Sequence, residues 1–593
     1  MVFVPRSIES AGQRDTFSIQ QDRTRAAFAD ARIAPLLVCP RGKTMSQPAQ
    51  TTRRHFLKTS VAVAGASALP RHLALAQAPA KYRRYNVTSP EGQKALASYA
   101  KGVEAMLNLP PDHPHNWFRN AFVHLMDCPH GNWWFYVWHR GYLGYFEQTI
   151  RNLSKDPDFA MPYWDWTQLP QIPDSMFNGV LTPTDSAYEP FTKDIGTFTS
   201  YIQPTLKRYW DGLSPAQINQ LNLRGYTSFE AMWNDVTGFT ATPPPPHINL
   251  ENMAFAQTPG ARYLTRTNPK LSEQVTYNTS AFMVYSGLLP TDFYDPINQI
   301  SFNSSKTTSH NTPPNGNTLF STLEGFPHNS THNYIGGYGP IPKGPWGNMT
   351  NNLSPVDPIF FLHHSNMDRL WDVWTRKQQA LKLPYLPGKA DFPTYAKEPF
   401  LFYVDGSGGQ VGASYAKDYI STDRFQYDYQ PGFGEAIIKP PSTLLTANHE
   451  KSTVKGLMKG NAATLTLSGH ALTTHLAPDS LASLFALVTL PRPTDASPDR
   501  QFDVLVDAPT DVNQVGADSP YYAGTIAFFG GMMHMHGMSS DATFLVPLPK
   551  AKEAFKGLTA ANGAEAKSVA VTIRVVPSEG GASVLKSATV RAL

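Results

Sequence analysis

Two groups of three histidines are the residues of this sequence whose types and spacing could do chemistry. The chain has 18 histidines, and six of them lie in apolar, aromatic segments: His124, His130 and His139 in one group, and His328, His332 and His364 in the other. A buried imidazole needs a polar partner, which a metal ion provides. Three neutral imidazoles without a thiolate or carboxylate suit copper, zinc or iron. Two such sets close together would hold two metals about 4 Å apart.

Helices are the elements that must position these side chains. His328 and His332 are four residues apart, so on a helix they lie on one face, one turn apart. His364 follows in the apolar stretch DPIFFLHHSNMDRLW, which suits a second helix facing the first. Residues 79–250 also read as largely helical, whereas residues 251–320 are rich in Asn, Thr, Ser and Pro and predict a long irregular insertion.

The residue composition and the hydrophobic pattern change after about residue 446. Short runs rich in Val, Thr and Phe, such as ATLTLSG, SLFALVTL and SVAVTIRVV, alternate with turn residues. This pattern predicts an all-β sandwich of roughly 140 residues.

Composition limits the classes of protein. A chain of 593 residues is too long for one ordinary core, so two or more domains are expected. The net charge of +4, spread without long basic runs, gives no indication of a nucleic-acid partner. No stretch reaches the roughly 18 apolar residues of a membrane span. The two cysteines, Cys39 and Cys128, exclude a disulfide framework.

The N-terminal segment has the pattern of a targeting signal. TTRRHFLK at residues 51–58 precedes a short apolar stretch from Val61 to Leu69 and a small-residue site at Ala74-Leu75-Ala76. This is the pattern of a twin-arginine signal peptide. We therefore expect the twin-arginine translocase to export the chain to the periplasm or beyond the cell, and Cys39 to be lost with the signal.

Around the histidines the sequence resembles the tyrosinase and polyphenol oxidase family, the type-3 copper proteins. HGNWWFYVWHRGYLGYFE matches the end of the family's first copper motif, and VHLMDC before it resembles the plant-enzyme pattern. His328-x-x-x-His332 with DPIFFLHHSNMDRLW matches the second motif. PYWDW at residues 162–166, the segment Tyr427-Asp428-Tyr429 and QFDV at residues 501–504 also match. In the family the Tyr-x-Tyr packs near an N-terminal arginine, here Arg84.

The resemblance implies two copper ions held by the six histidines, with His363 a neighbour of the ligand His364. His124 and His130 are only six residues apart, whereas many members separate these ligands by about twenty. If His124 is not the ligand, His113 or His115 is the substitute.

The implied architecture has three parts. Residues 1–78 would be an N-terminal extension with the signal peptide. Residues 79–445 would be a mainly α catalytic domain, a helical bundle that holds the dicopper site. Residues 446–593 would be a C-terminal all-β, sandwich-like domain that shields the site or loads copper.

The implied function is the oxidation of phenols by O2: o-hydroxylation of monophenols and oxidation of o-diphenols to o-quinones. A monophenol must first lose a proton, and a free phenol has a pKa near 10. Glu324 and Asn329 match the family's pair that holds a water as base; as a structural alternative, Glu324 is an acid at a helix N-terminus. Cys128 has the spacing of the cysteine that forms a thioether with the ligand His130, which would lock the imidazole ring.

Other classes stay open on the residues alone. A catechol or o-aminophenol oxidase would lack activity on monophenols. A haemocyanin-like carrier would bind O2 without oxidising catechol, and a zinc hydrolase would contain zinc. The oligomeric state is also open.

A loop in the C-terminal domain is unusually rich in methionine and histidine. GGMMHMHGM contains Met532, Met533, His534, Met535, His536 and Met538. Thioether and imidazole ligands favour Cu(I), so this loop is a candidate for copper loading. It is also a candidate plug over the coppers. The structural alternative is a buried Met-rich turn.

Overall fold

The computed structural model describes residues 80–237, 260–337, 347–438, 454–455, 457–477, 483–493, 500–510, 515–529, 541–560, 567–578 and 585–593. All of them belong to one compact unit, Leu75–Leu593. The twin-arginine segment and the loop with Met532 to Met538 lie outside the described residues. Among the described helices none has both the length and the apolar character needed to cross a membrane.

The described residues up to 438 are mainly helical, as expected. Its helices are α1 (Pro90–Asn108), α2 (Trp117–Asp127), α3 (Phe135–Ser154), α4 (Glu189–Thr192), α5 (Ile195–Asp211), α6 (Pro215–Arg224), α7 (Phe229–Thr237), α8 (Glu273–Asn278), α9 (Ala281–Leu288), α10 (Asn329–Gly336), α11 (Ile359–Leu381) and α12 (Phe392–Ala396). Two further short helices, α13 (Gly469–Leu476) and α14 (Lys556–Ala560), lie among the later strands.

Helices α1, α3 and α11 form the packed centre of the helical part. The Ser89 hydroxyl caps α1 by accepting a hydrogen bond from Gly92 N–H, and Pro90 occupies the first turn, where no N–H is needed. Phe146 of α3 stacks on Phe361 of α11 with ring centroids 3.5 Å apart. These contacts hold α3 and α11, which carry one histidine of each group, in a fixed relation.

A buried ionic network closes the helical part. The chain forms a two-stranded parallel sheet from β1 (Tyr82–Arg84) and β3 (Tyr427–Tyr429). Arg84 donates to the Tyr429 hydroxyl at 2.7 Å and lies over the Tyr427 ring at 3.7 Å, so the expected contact of Arg84 with the Tyr-x-Tyr segment is present. Arg84 also bonds Glu147 of α3 and Asp368 of α11, each at 2.9 Å. Because unpaired buried charges are costly, this network fixes both helices to the sheet.

The C-terminal strands form two sheets. They are β4 (Val454–Lys455), β5 (Leu457–Lys459), β6 (Ala462–Ser468), β7 (Leu484–Pro491), β8 (Gln501–Val506), β9 (Tyr522–Ala527), β10 (Asp541–Pro547), β11 (Ser568–Pro577) and β12 (Ser587–Ala592). One sheet has the strand order β2-β10-β7-β12-β4, in which β2 is Thr318–Phe320, and the other has the order β5-β6-β11-β8-β9. Val488 and Phe544 of one sheet share a core with Val504 and Ile573 of the other, so the expected sandwich-like fold is confirmed.

Residues 260–320 differ from the expected irregular insertion. They contain α8 and α9, each begun by a serine cap, Ser272 and Ser280. They also contain β2 (Thr318–Phe320), which pairs in parallel with β10 of the C-terminal sheet. Both helices are short, and the strand is stabilised by a partner more than 200 residues away. The periodicity of apolar residues along the sequence therefore did not predict α8, α9 or β2.

Strand β9 docks the sandwich on the helical part. Asn278 of α8 donates from Nδ2 to the Thr525 carbonyl at 2.8 Å, and its Oδ1 accepts from Thr525 N–H at 3.1 Å. The Tyr277 hydroxyl donates to the Tyr522 carbonyl at 3.1 Å. These bonds hold β9 against α8.

Candidate metal centre

The two histidine groups come together in one buried cluster. His124 lies on α2, His139 on α3, His332 on α10 and His364 on α11. His130 lies in the loop between α2 and α3, and His328 ends the turn before α10. The rings of His139 and His364 stack with centroids 4.2 Å apart, and those of His130 and His328 lie 5.5 Å apart. The helices therefore bring both predicted groups of three to one place.

Within each group, two ring nitrogens face each other. His124 Nε2 lies 3.4 Å from His139 Nε2, and His332 Nε2 lies 3.1 Å from His364 Nε2. The Nε2 atoms of His130 and His328 are buried and have no hydrogen-bond partner among the described residues.

The hydrogen bonds on the opposite ring nitrogens decide what the facing atoms can do. Nδ1 of His124, His139 and His332 lies 2.7–2.8 Å from the carbonyl oxygens of Asn352, Phe135 and Met349, respectively. A carbonyl only accepts, so each Nδ1 carries the proton of a neutral imidazole and each Nε2 carries a lone pair. Two lone pairs at 3.4 Å repel unless a cation lies between them. The donor set of the first group therefore fits a metal ion. In the second group, the His332 lone pair faces His364 Nε2 at 3.1 Å, which places two imidazole nitrogens where one metal ion could bind both.

Burial keeps these imidazoles neutral. It lowers the pKa of His139 and of His328 to about 3, and it lowers the pKa of His124, His130, His332 and His364 well below the usual value. A neutral imidazole is the form that binds a metal.

The local fold around His328 is unusual. Residues Glu324–His328 form a π-helical turn with Pro327 inside it. Proline lacks the N–H that a regular helical bond needs, and π turns of this kind are frequent at functional sites. The turn runs into α10, where the rings of His328 and His332 lie 4.5 Å apart. The predicted one-face arrangement is thus present, with a π turn in place of a continuous α-helix.

His363 is also part of the cluster. Its ring lies 4.8 Å from that of His332, and neither of its nitrogens has a hydrogen-bond partner among the described residues. Potential ligand atoms of His328, His332, His363 and His364 all lie within 4.8 Å of one another. His363 is therefore close enough to act as an additional ligand.

The alternatives to His124 lie elsewhere. The rings of His113 and His115 are 5.5 Å apart, and His115 Nε2 lies 2.7 Å from the Asp405 carbonyl oxygen, to which it donates. His124, in contrast, lies 5.4 Å from the ring of His130. The geometry favours His124 as the third member of its group.

Cys128 lies beside His130, as its spacing predicts. Its Sγ is 3.5 Å from His130 Nδ1. Arg224 of α6 donates to this sulfur at 3.3 Å and to the Cys128 carbonyl at 2.6 Å. Burial raises the pKa of the Cys128 thiol to about 12, against the opposing effect of Arg224. Sequence reasoning missed Arg224, which lies 96 residues further along the chain.

Glu324 and Asn329 lie beside the histidine cluster, and both side chains are hydrogen-bonded. Glu324 accepts hydrogen bonds from Gly131 N–H at 2.5 Å and from the Ser304 hydroxyl. Burial raises the pKa of its carboxyl to about 7, although both bonds act in the opposite direction. Asn329 Oδ1 lies 2.9 Å from His328 Nδ1, and its Nδ2 donates to the Ala527 carbonyl at 2.9 Å. The side-chain NH2 of Asn329 is thus hydrogen-bonded to a carbonyl of the C-terminal domain.

Phe529 covers the cluster. Its ring centroid lies 4.3 Å from that of His332, 5.0 Å from His130 and 5.4 Å from His328. This side chain comes from the residues just after β9 and immediately before the Met- and His-rich segment. A plug over the site was one of three alternatives for that segment, which lies outside the described residues. Phe529 was missed because an aromatic residue after a strand has no distinctive pattern.

Comparison with known proteins agrees with this geometry. The profile described as the common central domain of tyrosinase matches residues 82–377. The chloroplastic polyphenol oxidase of Vitis vinifera is 26% identical over 356 residues, which are 56% of this chain and 45% of that protein. Tyrosinase HcTyr1 of Hahella sp. (strain CCB-MM4) is 24% identical over 311 residues, 52% of this chain and 48% of that protein. The chain spans about half the length of the curated relatives it matches.

A solved structure of latent aurone synthase, a polyphenol oxidase, matches with a TM-score of 0.49 and 19% identity, over 87% of this chain and 90% of that one. The conclusion on the family depends on the sequence matches: residues 82–377 are a tyrosinase common central domain, and through it the chain belongs to the tyrosinase and polyphenol oxidase family of type-3 copper proteins.

Proposed function

We propose that this chain oxidises phenols with O2 at two copper ions. The observation that carries the proposal is the pair of facing Nε2 atoms of His124 and His139, 3.4 Å apart, because both rings give their Nδ1 protons to carbonyls and a cation between the two lone pairs removes their repulsion. The Nε2 atoms of His332 and His364 face each other in the same way at 3.1 Å. Monophenols would be hydroxylated to o-diphenols, and o-diphenols oxidised to o-quinones.

The six histidines and the aromatic residues around them suit copper chemistry with phenols. His124, His130 and His139 would hold one copper, and His328, His332 and His364 the other. Copper bound by imidazoles supplies one-electron redox steps and binding of O2. The buried aromatic surroundings exclude water, because Phe135 and Phe360 lie against the histidine rings at 4.7 Å and 4.2 Å.

The decisive experiment measures copper content together with oxygen uptake on tyrosine, catechol and 2-aminophenol. Two coppers with uptake on all three support the proposal. Uptake on catechol or 2-aminophenol alone indicates an oxidase without activity on monophenols. Copper and O2 binding without catechol oxidation indicates a haemocyanin-like carrier, and zinc in place of copper indicates a hydrolase.

Glu324 and Asn329 are proposed to remove the proton of a monophenol through a shared water. A carboxyl with a pKa of about 7 is well matched to proton transfer near neutral pH. Since the Ala527 carbonyl occupies the Asn329 amide, this role requires the end of β9 to move away.

We expect Glu324→Gln and Asn329→Ala to reduce monophenol oxidation at least about 10-fold more than diphenol oxidation. Only monophenols need the proton removed before the ring is attacked. The measurement is kcat/KM for tyrosine and for 3,4-dihydroxyphenylalanine on each copper-loaded variant. The diphenol serves as the control for folding and copper, and equal losses on both substrates would show that the two residues only support the fold.

Cys128 and His130 are proposed to form a thioether. The sulfur would replace a hydrogen on a ring carbon of His130, and the two protons and two electrons released would reduce O2 to hydrogen peroxide. Arg224 holds the sulfur close to the ring, because it bonds both Sγ and the carbonyl of Cys128.

We expect the peptide that contains Cys128 and His130 to be lighter by two hydrogen atoms after copper loading in air. Cys128 would then resist alkylation in denatured protein. Peptide mass spectrometry of copper-loaded and copper-free samples checks this, with Cys128→Ser as the control that shows no mass loss. An alkylated Cys128 in fully active protein would contradict the cross-link.

We also propose, from the sequence, that the chain is exported and that its parts have separate roles. Residues 1–78 carry the twin-arginine signal, residues 79–445 the catalytic domain and residues 446–593 the shielding domain. The Met- and His-rich segment from Met532 to Met538 remains a candidate for copper loading.

A further inference from the structure

A buried histidine outside the cluster lies between two carboxylates. His310, in the irregular segment before β2, is 1% exposed. Its Nδ1 lies 2.5 Å from Glu398 Oε1, and its Nε2 lies 2.8 Å from Asp127 Oδ1. Glu398 follows α12, and Asp127 is the last residue of α2. One imidazole therefore joins three segments that are far apart in the sequence.

Both ring nitrogens of His310 donate. An ionised carboxylate only accepts, so each ring nitrogen that faces one carries a proton. Asn311 Nδ2 also lies 3.0 Å from His310 Nε2, but its two hydrogens have acceptors in Gln220 Oε1 at 3.0 Å and Asp127 Oδ1 at 3.3 Å. The ring is thus an imidazolium. Its charge and that of Arg224, which donates to Asn311 Oδ1 at 3.1 Å, balance the two buried carboxylates.

Asp127 connects His310 to the first histidine group. Its Oδ2 accepts a hydrogen bond from Trp138 Nε1 at 2.9 Å. The Trp138 ring lies 5.0 Å from the ring of His139 and 5.7 Å from that of His124. Since Asp127 also ends the helix that carries His124, a change in its position would be felt by both histidines.

Asn311 gives a second connection, through Arg224. The Arg224 guanidinium bonds Asn311 Oδ1, the Cys128 carbonyl at 2.6 Å and Cys128 Sγ at 3.3 Å. Cys128 Sγ in turn lies 3.5 Å from His130 Nδ1. The segment of His310 thus also supports the loop that carries His130.

We propose that His310 is a positioning residue for the copper ion that His124, His130 and His139 would hold. Its ring bonds carboxylates rather than the metal ligands, and it acts by fixing the end of α2 and the loop that follows. The inference rests on the proposed dicopper function. Removal of a residue that orients metal ligands typically costs about 10- to 100-fold in metal affinity, which sets the scale of the expected effect.

The same geometry makes binding of this copper sensitive to alkaline pH. Burial acts to lower the pKa of His310, but Asp127 and Glu398 raise it from 6.5 to about 9. The imidazolium therefore contributes its full stabilisation below about pH 6.5 and loses it as the pH rises through about 9. Against the effect of burial, the bond from His310 lowers the pKa of Glu398, and burial raises the pKa of Cys128 to about 12. The Arg224 guanidinium keeps its charge throughout, so the change near pH 9 belongs to His310.

The test measures the copper affinities of the full-length chain by competition with a chelator. The variant combines His310→Gln with Glu398→Gln, which removes the cation together with one carboxylate and keeps the buried charges balanced. We expect it to bind the first copper about 10- to 100-fold more weakly and the second within about twofold of the unchanged chain. The binding step that is absent in His124→Ala identifies the first copper. If the double variant fails to fold, the weakening of that step in the unchanged chain as the pH rises through about 9 gives the test.

His475→Gln is the matched control, and it should keep both affinities. This buried histidine of the C-terminal domain donates from Nε2 to the Pro549 carbonyl and accepts at Nδ1 from Leu484 N–H. Equal weakening of both coppers, an unchanged first copper, or the same loss of affinity at high pH in the double variant overturns the role of His310. Two coppers with the expected difference but no oxidation of tyrosine or catechol overturn the proposed function and leave this role intact.

Discussion

Replacing His332 by alanine is expected to remove one of two coppers and to reduce catechol oxidation by more than about 100-fold. His332 Nε2 lies 3.1 Å from His364 Nε2, and its Nδ1 donates to the Met349 carbonyl, so its lone pair is aimed at the metal position. Loss of residues that only support a ligand costs about 10- to 100-fold, and loss of the ligand itself should exceed that. Elemental analysis and oxygen uptake on the same sample measure both effects.

The same result is expected for alanine at His130, His139 and His364. His113→Ala is the matched control, because this histidine pairs with His115 rather than with the cluster. Two coppers and full activity in any ligand variant would remove that residue from the assignment. Comparing His124→Ala with His115→Ala settles the remaining choice: copper loss is expected only for His124→Ala, because the His124 ring lies 5.4 Å from that of His130 and 5.5 Å from that of His139.

The sequence alone predicted the parts of the site that depend on local spacing. A separation of four positions puts His328 and His332 on one face of a helix, and a separation of two positions brings the Cys128 sulfur close to the His130 ring. The aromatic stretches around His139 and His364 predicted buried helices, and α3 and α11 are those helices. In each case the information lies within about one helical turn or one amphipathic pattern.

Contacts between distant segments could not be predicted in this way. The Ser304 hydroxyl, in an irregular segment, donates a hydrogen bond to Glu324, and β2 pairs with β10, which lies more than 200 residues later in the chain. The residue over the site is Phe529, which is positioned because the side-chain amides of Asn278 on α8 and Asn333 on α10 donate to the carbonyls of Thr525 and Phe528. The pairing of β2 with β10 joins backbone groups and is insensitive to side-chain type, and a bond from an asparagine to a distant carbonyl leaves no local pattern, so neither has a clear sequence signature.

Removal of the Phe529 ring is expected to raise catechol oxidation roughly 10- to 100-fold at unchanged copper content. The ring lies on three of the six histidines and competes with any phenol for the same surface. Burying a phenylalanine side chain stabilises the closed arrangement by roughly 1.5–3 kcal/mol, and about 1.4 kcal/mol corresponds to a factor of ten in the open fraction. Oxygen uptake by copper-loaded Phe529→Gly, compared with the unchanged chain, measures the effect.

Two further variants distinguish a competing plug from a widened pocket. Phe529→Leu keeps apolar bulk over the histidines, so its activity should stay close to that of the unchanged chain. Asn278→Ala leaves the ring in place but removes both bonds between α8 and Thr525, so it should raise activity by loosening the docked domain. If Phe529→Gly is active and Asn278→Ala is not, the site admits phenols without domain movement. If neither variant exceeds the unchanged chain at full copper, Phe529 is packing rather than a plug, because a competitor for the substrate surface cannot be removed without raising the rate.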